Sequence, residues 1–399
     1  MSPLRRLAVL LLVWAGTASA GGALQPLPLL TGVGSGEPVL STGLDGTLVL
    51  SWLEPTTAGR HALRWSRWRG EGWGAPATVF ERDSLLANWA DVPAVIPTRG
   101  DTLFAYALRR TASGAYDDGV EVVRSVDGGA QVSAPQSLHD GGGPGEHGFV
   151  SAVPAPLGAD FVWLDGRAMA ADPVNGTMML RHAHIAPDGR PGPSHLLDAR
   201  TCECCQTGLV RTRRGLVAVY RDRSEHDVRD IHVVRERDGA WSDPAPVARE
   251  GWVVEGCPVN GPAIAAAGDT LLVAWFTGLG DTMRVHAAWS FDGGDSFGPV
   301  QRLDGGDAIG RVDVAMLPDG SAAVLWIENE RDAARLRVRR VPMAGAPGAP
   351  LTLSTTVTSR RAGFPRLACT GEALVFAWTE PGDASRVRSA RLPLTSLPR

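Results

Sequence analysis

A short apolar strand that ends in an aromatic residue recurs along this chain, and its spacing constrains the fold more than any other feature. The aromatic residues that end successive copies are Trp52, Tyr106, Trp163, Tyr220, Trp275, Trp326 and Trp378. They are 54, 57, 57, 55, 51 and 52 residues apart. A second marker, a proline after a Gly-rich turn, keeps the same phase at Pro76, Pro135, Pro193, Pro244, Pro299 and Pro350. Two markers that stay in step over this length predict one chain of structural repeats.

Each repeat reads as four short strands separated by turn residues. In the fifth repeat we predict strands at Ala263–Ala266, Thr270–Phe276, Val285–Ser290 and Val300–Leu303. Four strands per repeat predict an all-β fold, a β-propeller of seven four-stranded blades, with six blades as the alternative. The last repeat lacks its fourth strand, and we expect the strand-like segment Leu24–Leu30 to supply it and close the ring.

The first twenty residues have the pattern of an export signal. Arg5 and Arg6 precede the apolar run Leu7–Ala15, and Ala18-Ser19-Ala20 is a small-residue cleavage site. We therefore expect residues 1–20 to be a signal peptide and residues 21–399 to be one propeller domain, periplasmic or secreted. The apolar run is too short to cross a membrane, so we expect no membrane span. The net charge of −4 predicts no nucleic-acid partner, and we expect a monomer.

A turn motif links this repeat to a known family. Between the third and fourth strands of the fifth repeat, Ser290 to Phe297 reads S-x-D-x-G-x-x-F, and Ser125 to Val132 in the second repeat differs only at the aromatic. The motif resembles the Asp box (BNR repeat) of sialidase-like propellers. Its residues here are Ser290, Asp292, Gly294 and Phe297, and Ser125, Asp127 and Gly129. Because the Asp can accept hydrogen bonds from turn N–H groups, the motif predicts a hairpin and carries no catalytic role.

The resemblance implies an arginine triad for a substrate carboxylate, an acid/base Asp, and a Tyr nucleophile assisted by Glu. In a propeller, the loops between blades and those between second and third strands share one face, which we call the crossover face. On that face the candidates for catalysis are Asp91, Tyr220, Asp222 and Glu328, and those for ligand binding are Arg221, Asn260, Arg311 and Arg366. Arg binds carboxylates through paired hydrogen bonds. Tyr220 also fits a core aromatic, and the others also fit solvated loops or salt bridges between blades.

The cysteines are the most individual feature. Cys202, Cys204 and Cys205 lead into the fourth repeat, and Cys257 leads into the fifth, 52 residues after Cys205. We therefore expect the two segments to lie side by side. One interpretation is a disulfide from one of the three to Cys257, with a second bond between two of those remaining. The other is a thiolate site for copper or zinc; no other cofactor is expected.

Three hypotheses for function follow. The first is a binding propeller without catalysis, whose partner is a glycan or an envelope protein. The reason for it is that Gly36-Glu37-Pro38-Val39 stands where the family has Arg-Ile-Pro. The second is an exo-α-sialidase or related glycoside hydrolase with a rearranged arginine set. The third is a metal-handling periplasmic protein. Whether the protein is an enzyme stays open at this point.

Overall fold

The computed structural model describes residues 24–57, 59–83, 85–111, 117–139, 145–331 and 333–399. The predicted signal peptide lies outside the described residues. Over those ranges the chain forms seven antiparallel sheets arranged as the blades of a propeller. The strands that precede or form blades one and two are β1 (Gln25–Leu27), β2 (Gly36–Thr42), β3 (Leu48–Pro55), β4 (His61–Arg67), β5 (Ala77–Arg82), β6 (Ala94–Pro97), β7 (Leu103–Arg110), β8 (Asp118–Ser125) and β9 (Gln136–Ser137).

Blades three and four follow the same plan, with the fourth blade split at its outer edge. Their elements are β10 (His147–Pro154), β11 (Ala159–Asp165), the short helix α1 (Arg167–Ala171), β12 (Met179–Ile185), β13 (His195–Asp198), β14 (Gly208–Arg211), β15 (Leu216–Arg221), β16 (Ile231–Arg237), β17 (Ala240–Trp241) and β18 (Ala245–Pro246). Both β17 and β18 pair with β16, so two short pieces replace one outer strand.

The remaining strands form blades five to seven. They are β19 (Ala263–Ala267), β20 (Thr270–Thr277), β21 (Arg284–Ser290), β22 (Gln301–Arg302), β23 (Ala308–Met316), β24 (Ala322–Glu330), β25 (Ala333–Val341), β26 (Leu351–Thr356), β27 (Arg366–Cys369), β28 (Ala373–Glu380) and β29 (Arg386–Pro393). Short 3-10 turns lie at Leu279–Asp281, Arg360–Ala362 and Leu394–Ser396. The four strands predicted for the fifth repeat are confirmed, with the outer one shorter than expected.

The ring is closed by the N-terminal strand. β1 pairs antiparallel with β29, from Gln25 opposite Arg391 to Leu27 opposite Ser389, and becomes the fourth strand of the seventh blade. The seven-bladed prediction is confirmed, and the six-bladed alternative is wrong. Joining the first part of the chain to the last removes the exposed edge that an open ring would leave.

The second strand of each blade forms the core. These strands are mostly apolar because neighbouring blades cover both of their faces. Trp52, Trp163, Trp275 and Trp326 are fully buried. Each of their indole N–H groups donates to a carboxylate, at 2.8–3.1 Å; the acceptors are Glu54, Asp165, Glu250 and Glu328. A buried tryptophan needs such a partner, so these carboxylates belong to the repeat itself.

The two turns that matched the family motif adopt the same hydrogen-bonded shape. In the fifth blade, Ser296 N donates to Asp292 Oδ1 at 2.9 Å, and Gly294 N donates to Ser290 Oγ at 2.9 Å. In the second blade, the equivalent bonds run from Gln131 N to Asp127 and from Gly129 N to Ser125. Gly294 and Gly129 have φ values of 92° and 86°, which only glycine adopts readily. Phe297 packs against the core below its turn.

None of the helices among the described residues is long and apolar enough to cross a membrane.

Candidate functional site

The crossover segments into the fourth and fifth blades lie against each other, as the repeat predicted. Gly261 N donates to Gln206 Oε1 at 3.0 Å, and Gln206 Nε2 donates to the carbonyl of Ala90 at 2.8 Å. A Cβ on Gly261 would lie 1.9 Å from the carbonyl oxygen of Gln206, so only glycine fits there. This contact brings the segment that carries Cys257 next to the segment that carries the other three clustered cysteines.

The central channel holds one of the catalytic candidates. Its cavity measures about 200 Å³ and lies between the first strands of the blades, with Asp91, Asp313 and Arg366 among the lining residues. Asp91 is buried and accepts a hydrogen bond from Phe149 N at 2.7 Å. Burial raises the pKa of Asp91 well above its usual range, with smaller contributions from neighbouring carboxylates. Arg366 makes one long hydrogen bond, from Nε to the carbonyl of Pro38 at 3.4 Å.

Aromatic side chains cover one side of this channel. Phe149 and Phe364 line it, and Trp89 stacks on Phe364 with ring centroids 5.7 Å apart. The guanidinium groups of Arg311 and Arg360 lie over the Trp89 ring, 5.0 and 5.6 Å from its centroid. The lining near the crossover face is therefore partly apolar.

Three of the four predicted ligand-binding residues form a polar link between blades. Arg221 is 1% exposed and donates to the main-chain carbonyls of Asn260, Arg229 and Phe276 at 2.6–2.9 Å. Asn260 Oδ1 accepts a hydrogen bond from Arg311 N at 2.7 Å. The guanidinium of Arg311 in turn donates to main-chain carbonyls of residues 358, 359 and 363. Burial lowers the pKa of both arginines to about 10. Arg366 lies apart from this link, in the channel.

Two further catalytic candidates lie between the third and fourth blades. The Tyr220 hydroxyl donates to Asp198 Oδ2 at 2.5 Å, and burial raises its pKa well above the usual range, followed by the charge of Asp198. Asp222 lies 3.7 Å from His232 Nδ1. Burial, then the charge of Asp198, raises the pKa of Asp222 to about 7. Asp198, Asp222 and His232 each place one donor atom within 4.8 Å of those of the other two, so these three residues could hold a metal ion.

The fifth blade contains a matching arrangement. There Glu250 accepts from the Trp275 indole at 3.1 Å and lies 2.6 Å from His286 Nδ1. The aromatic comes from the second strand, the histidine from the third, and the carboxylate from the preceding blade, as with Tyr220, His232 and Asp198. Tyr220 therefore has the contacts of a core aromatic whose polar end needs a partner. Glu328 has the same kind of contact, because it accepts from Trp326.

The cysteines divide into a disulfide and a pair of thiols. Cys202 and Cys205 are bonded, with their Cα atoms 5.8 Å apart across a turn, a normal separation for a disulfide. The predicted bond inside the cluster is thereby confirmed. The predicted bond to Cys257 is not formed: Cys204 and Cys257 are free thiols, and the turn directs Cys204 toward Cys257, with which it forms a hydrogen bond. Cys204 Sγ also lies 4.0 Å from Cys202 Sγ.

The thiol pair has an uneven charge distribution. The hydrogen bond from Cys204, and then the positive charges of Arg229, Arg223 and Arg360, lower the pKa of Cys257 to about 6 against the opposing effect of burial. The same hydrogen bond, followed by burial, raises the pKa of Cys204. The two sulfur atoms therefore lose their first proton more readily than an isolated cysteine does and hold the second more tightly, and the thiolate so formed is the more reactive form of a cysteine.

An open cavity of about 400 Å³ surrounds this pair on the crossover face. We call it the crossover cavity; its polar and sulfur-containing lining residues are Asp117, Glu146, Met169, Glu203, Cys204 and Cys257. They come from blades two to five, and α1 supplies Met169. Burial, and then the charges of Asp118 and Cys257, raise the pKa of Glu146 to about 7. Cys257 is exposed, so a ligand in solution reaches the sulfur.

Arginines hold the cysteine turn in place. Arg229 is 2% exposed and donates from Nη1 to Glu203 Oε2 at 2.9 Å and to Cys202 Sγ at 3.3 Å. Arg223 forms a second ion pair with Glu203, and both arginines also bind Asp227. Charge-assisted hydrogen bonds of this kind fix geometry, so the sulfur atoms are presented by a rigid support.

The sequence reasoning missed Glu146, Glu203 and Met169. A signal for the first two was present: Glu146 lies 17 residues before Trp163, and Glu203 lies 17 residues before Tyr220. Cys257 lies 18 residues before Trp275, so all three occupy nearly the same position in successive repeats. Reading the repeat across blades at that position would have grouped them. Met169 has no such signal, because the helix that carries it interrupts the repeat.

No family model and no curated protein matches this sequence. Solved structures match the fold. A protein of unknown function from Dyadobacter fermentans is similar with a TM-score of 0.53 and 14% identity, over 92% of this chain and 98% of that one. The α-L-arabinofuranosidase of Fusarium graminearum, solved with arabinobiose, has a TM-score of 0.50 and 14% identity, over 94% of this chain and 97% of that one.

A NanB sialidase from Streptococcus pneumoniae also matches, with a TM-score of 0.45 and 11% identity, over 97% of this chain and 71% of that one. At these identities a likeness establishes fold alone. The chain is a seven-bladed β-propeller, and a shared propeller fold does not by itself assign a reaction.

Proposed function

We propose that this protein binds a ligand in the crossover cavity and does not hydrolyse sialosides. The observation that carries the proposal is the position of Arg221 and Arg311, whose guanidinium groups donate to main-chain carbonyls of the propeller, most of them in the neighbouring blade. The sialidase resemblance implies arginines directed at a substrate carboxylate. Two of the three arginines considered for that role serve the propeller itself.

The charge of the crossover cavity supports the same conclusion. Its acidic side chains are Asp117, Glu146 and Glu203, and the arginines near it are paired with Glu203. A sialoside would bring a further carboxylate beside these groups, and like charges at close range repel. The cavity therefore suits a neutral or cationic ligand.

Two kinds of partner are expected, a glycan or an envelope protein. Because the fold neighbour from Fusarium graminearum was solved with arabinobiose, a propeller of this shape can accommodate a neutral sugar, and a neutral glycan is the first carbohydrate class to test. We further propose that the protein is periplasmic or secreted. The disulfide between Cys202 and Cys205 supports this, since such bonds persist in oxidising compartments.

The test of hydrolysis uses a panel of fluorogenic glycosides that includes an α-sialoside and an α-L-arabinofuranoside. We expect no turnover above the buffer background, and Arg366→Ala should behave as the wild type does. Sialoside hydrolysis that Arg366→Ala abolishes would establish the exo-sialidase alternative instead.

The test of binding uses the same protein on a glycan array, with Glu146→Gln as the cavity variant and Glu380→Gln, on the opposite side of the ring, as the control. We expect neutral glycans, and no sialosides, among any ligands retained, and Glu146→Gln alone should weaken them. Retention of sialosides that Glu146→Gln leaves unchanged would place the binding site elsewhere.

A further inference from the structure

We propose that Cys204 and Cys257, with Met169 in the lining of the same cavity, bind one Cu(I) ion in the crossover cavity. The inference rests on the proposed function, since it takes that cavity as the binding site, and it adds the chemical class of one ligand.

The first argument is that three sulfur-containing side chains lie around one cavity. Two thiols from adjacent blades line it, and the thioether of Met169 lines it as well. Cys202 and Cys205 are excluded as ligands, because their sulfur atoms are already bonded to each other. The set available is therefore two thiols and one thioether.

The second argument is ligand type. Thiolate and thioether groups are soft ligands and select Cu(I), whereas a structural zinc site is normally closed by four ligands. Further zinc ligands would be carboxylates. Glu203 already pairs with Arg223 and Arg229, and among the described residues no carboxylate joins Cys204 and Cys257 in a set of three donor atoms within 4.8 Å of one another. The cavity therefore provides a complete set for Cu(I) and an incomplete one for zinc.

The third argument is support and access. The ion pairs of Glu203 with Arg223 and Arg229 fix the turn that carries Cys204, so the pair is held before an ion arrives. Cys257 is exposed, so the ion can enter from solvent and leave again. Binding of one Cu(I) displaces the proton that the pair of sulfur atoms still holds, and the copper keeps its oxidation state throughout, so no oxidant or reductant takes part.

The experiment uses the exported full-length protein, purified anaerobically. Thiol titration of the denatured apoprotein should give three thiols, from Cys204, Cys257 and Cys369, because Cys202 and Cys205 are bonded. Cu(I) is then titrated in competition with bicinchoninate. We expect one equivalent to be withdrawn from the chelator, and the thiols that react in the native, copper-loaded protein should fall by two.

Matched variants separate the site from the fold. Cys204→Ser and Cys257→Ser should each weaken Cu(I) binding by more than the roughly 10- to 100-fold that loss of an outer-shell partner costs, because each removes a ligand itself, and Met169→Leu should weaken it less. Cys369→Ser removes a free cysteine at the other side of the ring and should bind as the wild type does. Thermal unfolding of each apoprotein confirms that a lost site is not a lost fold.

Three outcomes would overturn the inference. They are an apoprotein with one thiol, which means that Cys204 and Cys257 form a disulfide; three thiols with no Cu(I) withdrawn from bicinchoninate; and Zn(II) bound more tightly than Cu(I). Each leaves the glycan-array result unchanged, so failure of the copper site is distinguishable from failure of the binding function. Sialoside turnover would refute the proposed binding function, and the copper titration would still test the metal site independently.

Discussion

The replacement of Arg221 by methionine decides whether this arginine holds blades together or receives a ligand. Arg221 is buried, its guanidinium lies 4.9 Å from the centroid of the Trp252 ring, and its N–H groups make four hydrogen bonds to three main-chain carbonyls. Methionine keeps most of the aliphatic packing and removes every one of these bonds. The change therefore isolates the polar link between the fourth and fifth blades.

The expected magnitude follows from those contacts. A buried carbonyl left without a donor costs about 1–3 kcal/mol, so three of them cost roughly 6 kcal/mol. Removing a buried charge returns part of this, because burial disfavours the charged guanidinium, and its pKa is lowered to about 10. We expect a net loss of about 4 kcal/mol of unfolding free energy, in the range of other broken buried networks.

The assay is thermal unfolding of the purified protein. With an unfolding entropy of about 2.1 cal/mol/K per residue over roughly 380 residues, 4 kcal/mol corresponds to a fall in Tm of about 5 °C. Arg366→Met is the control, since its single 3.4 Å hydrogen bond is expected to contribute less than about 1 kcal/mol. If Arg221→Met melts within about 1 °C of the wild type, the blade-linking role is refuted, and Arg221 returns as a ligand-binding residue.

Three further predictions test the structural assignments. Gly261→Ala should prevent normal folding and lower the yield of folded protein, because its Cβ would lie 1.9 Å from a main-chain oxygen. Gly298→Ala is the control and should express normally, since its Cβ would be 3.7 Å from the nearest atom; equal yields would contradict the close contact at Gly261. Burial raises the pKa of Glu37 from 4.5 to about 7. Its contribution to stability is therefore present below pH 4.5 and is lost as the pH rises to 7. In denaturant unfolding, Glu37→Gln should stabilise the protein by up to about 3 kcal/mol at pH 8 and have little effect at pH 4. An equal effect at both pH values would show that burial of the charge is not the cause. Tyr220→Phe should lower stability by about 1–2 kcal/mol, because the buried carboxylate of Asp198 loses its hydrogen-bond donor, and glycoside turnover should not change. A fall in turnover without loss of stability would indicate a nucleophile.

Repeat proteins place structural residues where a catalytic motif would be sought. Glu328 and Tyr220 stand at the ends of second strands, next to the crossover face, and both are polar residues of the types used in sialidase chemistry. In the structure, each satisfies a buried partner: Glu328 accepts from the Trp326 indole, and Tyr220 donates to Asp198. A carboxylate in contact with the polar atom of a core aromatic is therefore first a partner for that aromatic, whether it follows by two positions, as Glu328 does, or comes from the preceding blade, as Asp198 does.

The cysteines show how far the repeat spacing alone can locate a site. Their spacing correctly placed the crossover segments of the fourth and fifth blades together, but it left every pairing open. The choice depended on side-chain directions within one turn, which brought Cys202 to Cys205 and pointed Cys204 at Cys257. Spacing along a chain cannot fix such directions.

The periodicity of the sequence alone determined the seven-bladed ring, the strands of the fifth blade and closure by the first strand, because strand patterns and turn residues act locally and repeat. The tertiary structure alone decided which polar groups remain available for a ligand. Whether Arg221 faces solvent or the carbonyls of the next blade depends on neighbours that are distant in sequence. The same holds for the crossover cavity, since its lining comes from four blades and its charge balance exists only once they are packed together.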